Sequence, residues 1–140
     1  MIIKSTSPSI IDMRIKQVIL IRKDLKMRRG KEIAQGSHAS MDFMISRLRE
    51  QPGEVCRKLE LSQAEQKWID EGMAKICLRV DSEEMLVEYH SRALEAGLKS
   101  FMIRDSGRTE FAGIPTLTAC AIGPAEATAI DKVTGNLVLY

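Results

Sequence analysis

One stretch of the sequence constrains the fold more than any other: the apolar run at residues 17–21 and the basic segment that follows it. The run reads QVILI, which is rich in β-branched residues and typical of a central strand buried on both faces. A basic turn comes next, and the pattern after it predicts a helix from about Gly30 to Arg49. A buried strand that leads through a short turn into a helix indicates a fold of the α/β class.

The rest of the chain alternates in a similar way. Strands are predicted at residues 75–80, 98–104 and 117–122, the last ended by Gly123–Pro124. Helices are predicted at 62–73, opened by a Ser62–Glu65 capping box, at 81–96, capped by Asp81, and from Pro124 onward. This order predicts a three-layer α/β/α sandwich around a mixed, mostly parallel four-stranded sheet. A length of 140 residues suits one core. We therefore expect residues 1–15 to be a short N-terminal tail and residues 16–140 to be a single domain.

The first predicted helix has a core side and a border on which a site can be built. At about 100° per residue, one apolar arc is expected to face the core; it comprises Ile33, Ala34, Ser37, Met41, Met44, Ile45 and Leu48. A second set falls along one border of that arc: Lys31, Gln35, His38 and Asp42. We expect these polar side chains to face the site.

The turn before this helix concentrates positive charge. Its cations are Lys23, Lys26, Arg28, Arg29 and Lys31. Cations are disfavoured beside the positive end of a helix dipole, so their clustering there indicates that an anion binds from outside. We infer a phosphate-bearing ligand, with nucleic acid as a natural partner for a local basic surface. The alternative is a solvated basic loop.

A second polar segment, DSGRT at residues 105–109, follows the third predicted strand. Ligands of α/β proteins gather outside the carboxyl ends of the strands, so Asp105 and Thr109 are candidates to meet Lys26 and Lys31 there. A carboxylate, a hydroxyl and lysines can position a water and stabilise an oxyanion, as ester hydrolysis requires. The alternative is a simple turn in which Asp105 caps local N–H groups.

Several other chemistries lack their sequence signals. The G-x-S-x-G, G-x-G-x-x-G and P-loop motifs are absent, and the neighbouring Ser37 and His38 would point about 100° apart on a helix. With two histidines and no C-x-x-C pair, we expect neither a metal site nor a cofactor. The three cysteines (Cys56, Cys77 and Cys120) are expected to be buried, reduced thiols of a cytoplasmic protein. No apolar run is long enough to predict a membrane span, and no secretory signal is evident.

Four segments together resemble one known family, the type 2 peptidyl-tRNA hydrolases found mainly in archaea and eukaryotes. They are RKDLKMRRGKEIAQGSHAS at 22–40, DSGRTEFAG at 105–113, AIGP at 121–124 and IDKVTGNLVLY at 130–140. With the order of the intervening elements, the resemblance covers nearly the whole chain from Lys16 onward. It implies hydrolysis of the ester between a peptide and the 3′ ribose of tRNA, with water as nucleophile and no cofactor. It also implies a compact α/β/α domain and a homodimer as an expected assembly.

The resemblance assigns activity to Lys26, Lys31, Asp105 and Thr109, and places Gln35 and His38 in the family's helix motif. As a hypothesis, Asp105, aided by Thr109, orients or deprotonates water, and Lys31 stabilises the oxyanion or holds the terminal phosphate. Positive charge at Lys26, Arg28 and Arg29 would bind the acceptor-stem backbone. His38 is either an orienting residue or, as we slightly favour, a buried structural histidine. Arg108 is expected to brace its turn by pairing with a nearby acid.

The sequence also departs from the family pattern at several points. Arg28 stands where the family usually has glycine, Glu110 where glutamine is common, and the turn at residues 113–115 differs. These departures keep two rival interpretations open. One is a non-catalytic tRNA- or RNA-binding module on the same fold, and the other is a related hydrolase with a different acyl substrate.

Overall fold

The computed structural model describes residues 10–140, so most of the predicted N-terminal tail lies outside the described residues. Its described part holds a short 3-10 helix, Ile10–Asp12, which precedes the first strand. Four strands follow in chain order: β1 (Ile15–Arg22), β2 (Lys75–Val80), β3 (Ser100–Asp105) and β4 (Thr116–Glu126). The helices are α1 (Arg29–Leu48), α2 (Gln63–Asp70), α3 (Glu83–Glu95) and α4 (Ala127–Thr134). This content confirms the predicted α/β class.

The strands form one mixed sheet in the order β2-β1-β4-β3. The predicted mixed, four-stranded sheet is confirmed, but its mostly parallel character is wrong. Only β1 and β2 pair in parallel, while β4 runs antiparallel to both β1 and β3. The reason is the connection between β3 and β4: residues 106–115 contain no crossover α-helix, and short connections join antiparallel strands. β1 and β3 consequently run in the same direction on either side of β4.

Helices cover both faces of the sheet, which gives the three layers that the sequence predicts. Successive β1 side chains alternate between the faces, with Val18 and Leu20 packing against α3 and α4. Ile19 and Ile21 pack on the opposite face with Ala39 of α1. On that side α1 and α2 meet through Phe43 and Trp68, whose rings pack edge to face with centroids 5.8 Å apart.

Helix α1 is rotated relative to the predicted core arc. Its buried residues are Gln35, Ala39 and Phe43, whereas Ile33 is 64% exposed and Met41 is 48% exposed. The polar Gln35 can face the sheet because its amide group is hydrogen-bonded at both ends. Four residues of the predicted apolar arc instead line an open groove of about 600 Å³ between α1 and β2: Ile33, Ser37, Met41 and Met44.

Several local predictions also need correction. The Gly123–Pro124 pair does not end the fourth strand, because β4 continues to Glu126 and α4 begins at Ala127. The N-cap of α3 is Ser82 rather than its neighbour Asp81. Of the three cysteines only Cys120 is buried, since Cys77 lies on the edge strand β2 and Cys56 lies in a loop. Among residues 10–140, no helix is long and apolar enough to cross a membrane.

Candidate active site

The chain direction brings the basic turn and the DSGRT segment to the same edge of the sheet. β1 and β3 both end there, at Arg22 and Asp105. Helix α1 then runs back over the sheet, so its first turn lies beside the end of β3. This places Lys31 next to Asp105, although 74 residues separate them in the sequence.

Asp105 accepts hydrogen bonds on both carboxylate oxygens. Its Oδ1 accepts from Lys31 Nζ at 2.8 Å and from Gln35 Nε2 at 3.2 Å, and its Oδ2 accepts from the Gly107 N–H at 2.8 Å. The Lys31 hydrogen bond, chiefly, lowers the pKa of Asp105 below its ordinary value. Partial burial opposes this shift, but the Gly107 N–H, the Lys31 charge and Gln35 together keep the pKa low. The carboxyl group is therefore ionised at neutral pH.

Thr109 lies on the lysine side of this arrangement. Lys31 Nζ also donates to Thr109 Oγ1 at 2.9 Å, and it lies 5.9 Å from the centroid of the Phe111 ring. The side chains of Lys31 and Asp105 are 14% and 11% exposed, so the ion pair is reachable from solvent but largely enclosed. Thr109 is therefore linked to Asp105 through Lys31, whose Nζ atom donates a hydrogen bond to each of them.

Thr118, which was not predicted from the sequence, contacts the site from the buried side of Gln35. It is fully buried on β4, and its Oγ1 donates to Gln35 Oε1 at 2.5 Å. The ionised Asp105 can only accept, so the NH2 group of Gln35 faces it, and the Thr118 hydroxyl anchors the other end of the amide. The signal in the sequence was a hydroxyl inside the apolar segment LTACAI at residues 117–122. Its partner was not predictable because the place of β4 in the sheet was not.

The loop after β3 is shaped by Gly107. Its φ of +83° favours glycine, and a Cβ at this position would lie 2.4 Å from the carbonyl oxygen of Ile114. The Gly107 carbonyl also accepts from the Gly113 N–H at 2.9 Å. The glycine therefore closes the loop on itself while its own N–H reaches Asp105.

The remaining predicted site residues surround the cluster without joining it. Lys26, Arg28, Arg29 and Arg108 are all exposed, and none forms an ion pair with a residue in the described part of the chain. The expected bracing of the turn by an Arg108 ion pair is therefore wrong. The favoured interpretation of His38 as a buried residue is also wrong, because its position on the helix points to solvent at the rim of a groove. The exposed cations leave a positive surface around the Lys31–Asp105 pair.

Within residues 10–140, no group of three or more histidine, cysteine, aspartate or glutamate side chains is placed to hold a metal ion. The charged groups at the centre of the cluster are one ammonium and one carboxylate. Together with an amide and two hydroxyls, they form a site that can bind and orient a polar reactant.

The fold and the site define a class: mixed α/β proteins in which a lysine of the first helix forms an ion pair with a carboxylate at the end of a strand. Residues 15–140 match the family described as peptidyl-tRNA hydrolase PTH2, and the chain belongs to that family.

Relatives with curated names agree with this assignment. A peptidyl-tRNA hydrolase of Methanocaldococcus jannaschii is 38% identical over 125 residues, which cover 89% of this chain and 99% of that protein. One from Aeropyrum pernix is 41% identical over 126 residues, covering 89% of this chain and 95% of that protein. A probable peptidyl-tRNA hydrolase 2 of Dictyostelium discoideum is 41% identical over 127 residues, covering 89% of this chain and 54% of its own length.

Proposed function

We propose that this protein hydrolyses the ester bond between a peptide, or an N-blocked amino acid, and tRNA, and thereby returns the tRNA for reuse. Family membership supports the reaction, and the contact between Lys31 and Asp105 at 2.8 Å is the single observation that carries it at the level of the site. We also propose that it acts in the cytoplasm, where translation takes place, and without a cofactor.

The surroundings of Asp105 favour one of its two suggested roles. Every group that contacts its oxygens is a donor: Lys31 Nζ, Gln35 Nε2 and the Gly107 N–H. A proton on the carboxyl group would lack an acceptor among them, and a low pKa makes the group a weak base. Asp105 in this proposal accepts a hydrogen bond from the attacking water and aligns it, and the proton passes to solvent as the tetrahedral intermediate forms. The intermediate then collapses: the bond between the carbonyl carbon and the 3′ oxygen of the ribose breaks, and that oxygen takes up a proton from solvent.

Lys31 supplies the positive charge of the reaction. Attack on the ester carbonyl places negative charge on its oxygen, and a preorganised ammonium group stabilises that charge. Thr109 and Asp105 hold the Nζ atom in place, so little reorganisation is needed when the charge develops. Catalysis thus depends on Lys31 and Asp105 directly, and on Thr109 and Gln35 through them.

The exposed cations bind the RNA in this proposal. Lys26, Arg28 and Arg29 lie just before or at the start of α1, and Arg108 lies in the loop that carries Thr109. They would contact phosphates of the acceptor stem and the 3′ end, where affinity depends on charge more than on base sequence. Lys26 then acts in binding rather than in the chemical step.

We also propose a homodimer. The open groove between α1 and β2 exposes Ile33, Met41 and Met73, an apolar surface that a second copy would cover. Sedimentation of the purified protein at several concentrations tests this, and replacing Met41 by glutamate is expected to shift it to the monomer. A monomer at every concentration would refute this assembly.

The deciding experiment is release of free peptide from N-blocked aminoacyl-tRNA by the purified protein. We expect multiple turnovers, and we expect them to persist in EDTA because Lys31 supplies the charge that a metal would otherwise provide. Binding of tRNA without release of peptide would favour the non-catalytic RNA-binding module. Hydrolysis of simple acyl esters with no preference for tRNA would favour the related hydrolase with another substrate.

A further inference from the structure

We propose that the groove between α1 and β3 binds the phosphate backbone of the tRNA acceptor arm, with Arg49 and Arg104 as its phosphate contacts. The groove measures about 630 Å³, and its lining includes His38, Asp42 and Arg49 on one side and Met102, Ile103 and Arg104 on the other. The proposal rests on the proposed function, since it names the part of the substrate that this surface holds.

The groove lies next to the candidate active site. Around the axis of α1, the residues His38, Asp42 and the C-cap Arg49 each lie within about 20° of Lys31, so the four share one face. At about 1.5 Å per residue, this row extends roughly 27 Å from the site to Arg49. On the facing strand, Arg104 immediately precedes Asp105. An RNA strand that runs from the ester along this side of α1 would therefore enter the groove.

The groove carries positive charge that is not neutralised by ion pairs. Arg49 and Arg104 are exposed and form no ion pair with any residue from 10 to 140, whereas Arg22 and Arg47 each pair with a carboxylate. Asp42 is the single carboxylate among the described lining residues. These two lining residues carry guanidinium groups, which bind phosphate through paired N–H donors.

The same observations disfavour the peptide as the occupant. Peptides attached to tRNA differ in sequence and carry no fixed negative charge. Two arginines would therefore make no electrostatic contact that is common to all peptides. Phosphates recur along every acceptor arm, and their binding is electrostatic. The groove therefore extends the positive surface of the basic turn onto a second side of the site.

The test measures binding of deacylated tRNA to Arg49→Ala and Arg104→Ala over a range of KCl concentrations. Each variant should lower the slope of log affinity against log salt by about one, because each removes one cation that neutralises a phosphate. Lys132→Ala is the matched control, because it removes an exposed cation from α4, on the other face of the sheet. Asp42→Asn should have the opposite effect and raise the affinity for deacylated tRNA, because it removes a negative charge from the groove. Thermal midpoints of all variants verify that they fold.

Unchanged slopes in both arginine variants would overturn the proposal. So would a rise in KM that grows with peptide length while affinity for deacylated tRNA stays the same, because that result assigns the groove to the peptide. Reduced slopes in a protein that releases no peptide would refute the proposed function and support the groove. Normal peptide release with unchanged slopes would support the proposed function and refute the groove as the phosphate-binding surface.

Discussion

The two oxygens of Asp105 make contacts of different kinds. Oδ2 accepts the Gly107 N–H, which is the turn-capping role that the sequence left open, while Oδ1 accepts from Lys31 and Gln35. Both interpretations of this residue therefore describe real contacts. The question that remains at the residue scale is which contact matters for turnover.

Replacing Asp105 by asparagine separates the two. An asparagine oxygen can still cap Gly107, so the thermal midpoint should stay near that of the wild type. The amide cannot pair with the Lys31 charge or align water as a carboxylate does, so single-turnover cleavage should fall on the order of 10²-fold with little change in tRNA affinity. Lys31→Ala, by contrast, removes a positive charge that can also hold the terminal phosphate, so it should lower cleavage and affinity together. Near-normal cleavage by Asp105→Asn would leave the residue with a structural role only.

Thr118 should act on turnover through Gln35. Thr118→Val keeps the size of the side chain but leaves the buried Gln35 Oε1 without its donor, so the amide is held at one end only. We expect kcat to fall about 10-fold with KM nearly unchanged, since the amide no longer positions Asp105 reliably. Thr118→Ser keeps the hydroxyl and should recover most of the loss. Equal losses in the two variants would mean that packing, rather than the hydrogen bond, is what matters.

At the scale of elements, the connection between β3 and β4 carries much of the site. Gly107 and Gly113 both have positive φ, +83° and +76°, but only Gly107 lacks space for a Cβ. Gly113→Ala should therefore cost about 1 kcal/mol of folding free energy from backbone conformation alone. Gly107→Ala must also displace the Ile114 carbonyl and should lower both the thermal midpoint and turnover. Urea denaturation and single-turnover cleavage of the pair check this, and equal effects would argue against a closed loop.

The elements also show what the sequence could and could not predict. The strand–turn–helix at the start of the chain and the Ser62–Glu65 capping box are local patterns, and both are present. The proximity of Lys31 to Asp105 and Thr109 followed from the rule that strand ends gather at one edge, and it is found. Their roles in catalysis remain predictions.

Contacts between segments that are distant in the sequence could not be predicted from local patterns. The position of β4 between β1 and β3 depends on pairing across the whole sheet, so neither the antiparallel pairs nor Thr118 was predictable. The rotation of α1 had a related cause: apolar spacing favoured Ile33 and Met41 as core residues. The buried position belongs to Gln35, whose polar ends are satisfied by partners on β4 and β3.

At the scale of the whole molecule, one buried ion pair joins the two helices on the site-bearing face. Arg47 of α1 donates to both oxygens of Glu65 of α2 at 2.8 Å, and the Glu65 side chain is only 2% exposed. Burial acts to raise the pKa of Glu65, but the hydrogen bonds from Arg47 and the Ser62 N–H, with the nearby positive charges, outweigh it and lower the pKa. The carboxylate is thus stabilised in the folded state.

This pair predicts a pH dependence of stability. Because the pKa of Glu65 is lower in the folded than in the unfolded state, its contribution is present above the unfolded value of about 4.3 and is lost as pH falls through the folded value. The thermal midpoint of the wild type should exceed that of Glu65→Gln at pH 7, and the gap should shrink towards pH 3. Matched melting curves check this. A gap that stays constant with pH would mean that the carboxylate charge contributes nothing.

The hydrogen bond between Thr118 and Gln35 also has a consequence for how the protein fails when heated. In many enzymes the working groups sit on loose loops, which can open well before the body of the protein does. Here the support of the site lies in the packed interior, between a central strand and the longest helix. Heat should therefore remove this support of Asp105 only at the rate at which the entire molecule unfolds, which parallel measurements of residual activity and of the unfolding rate check.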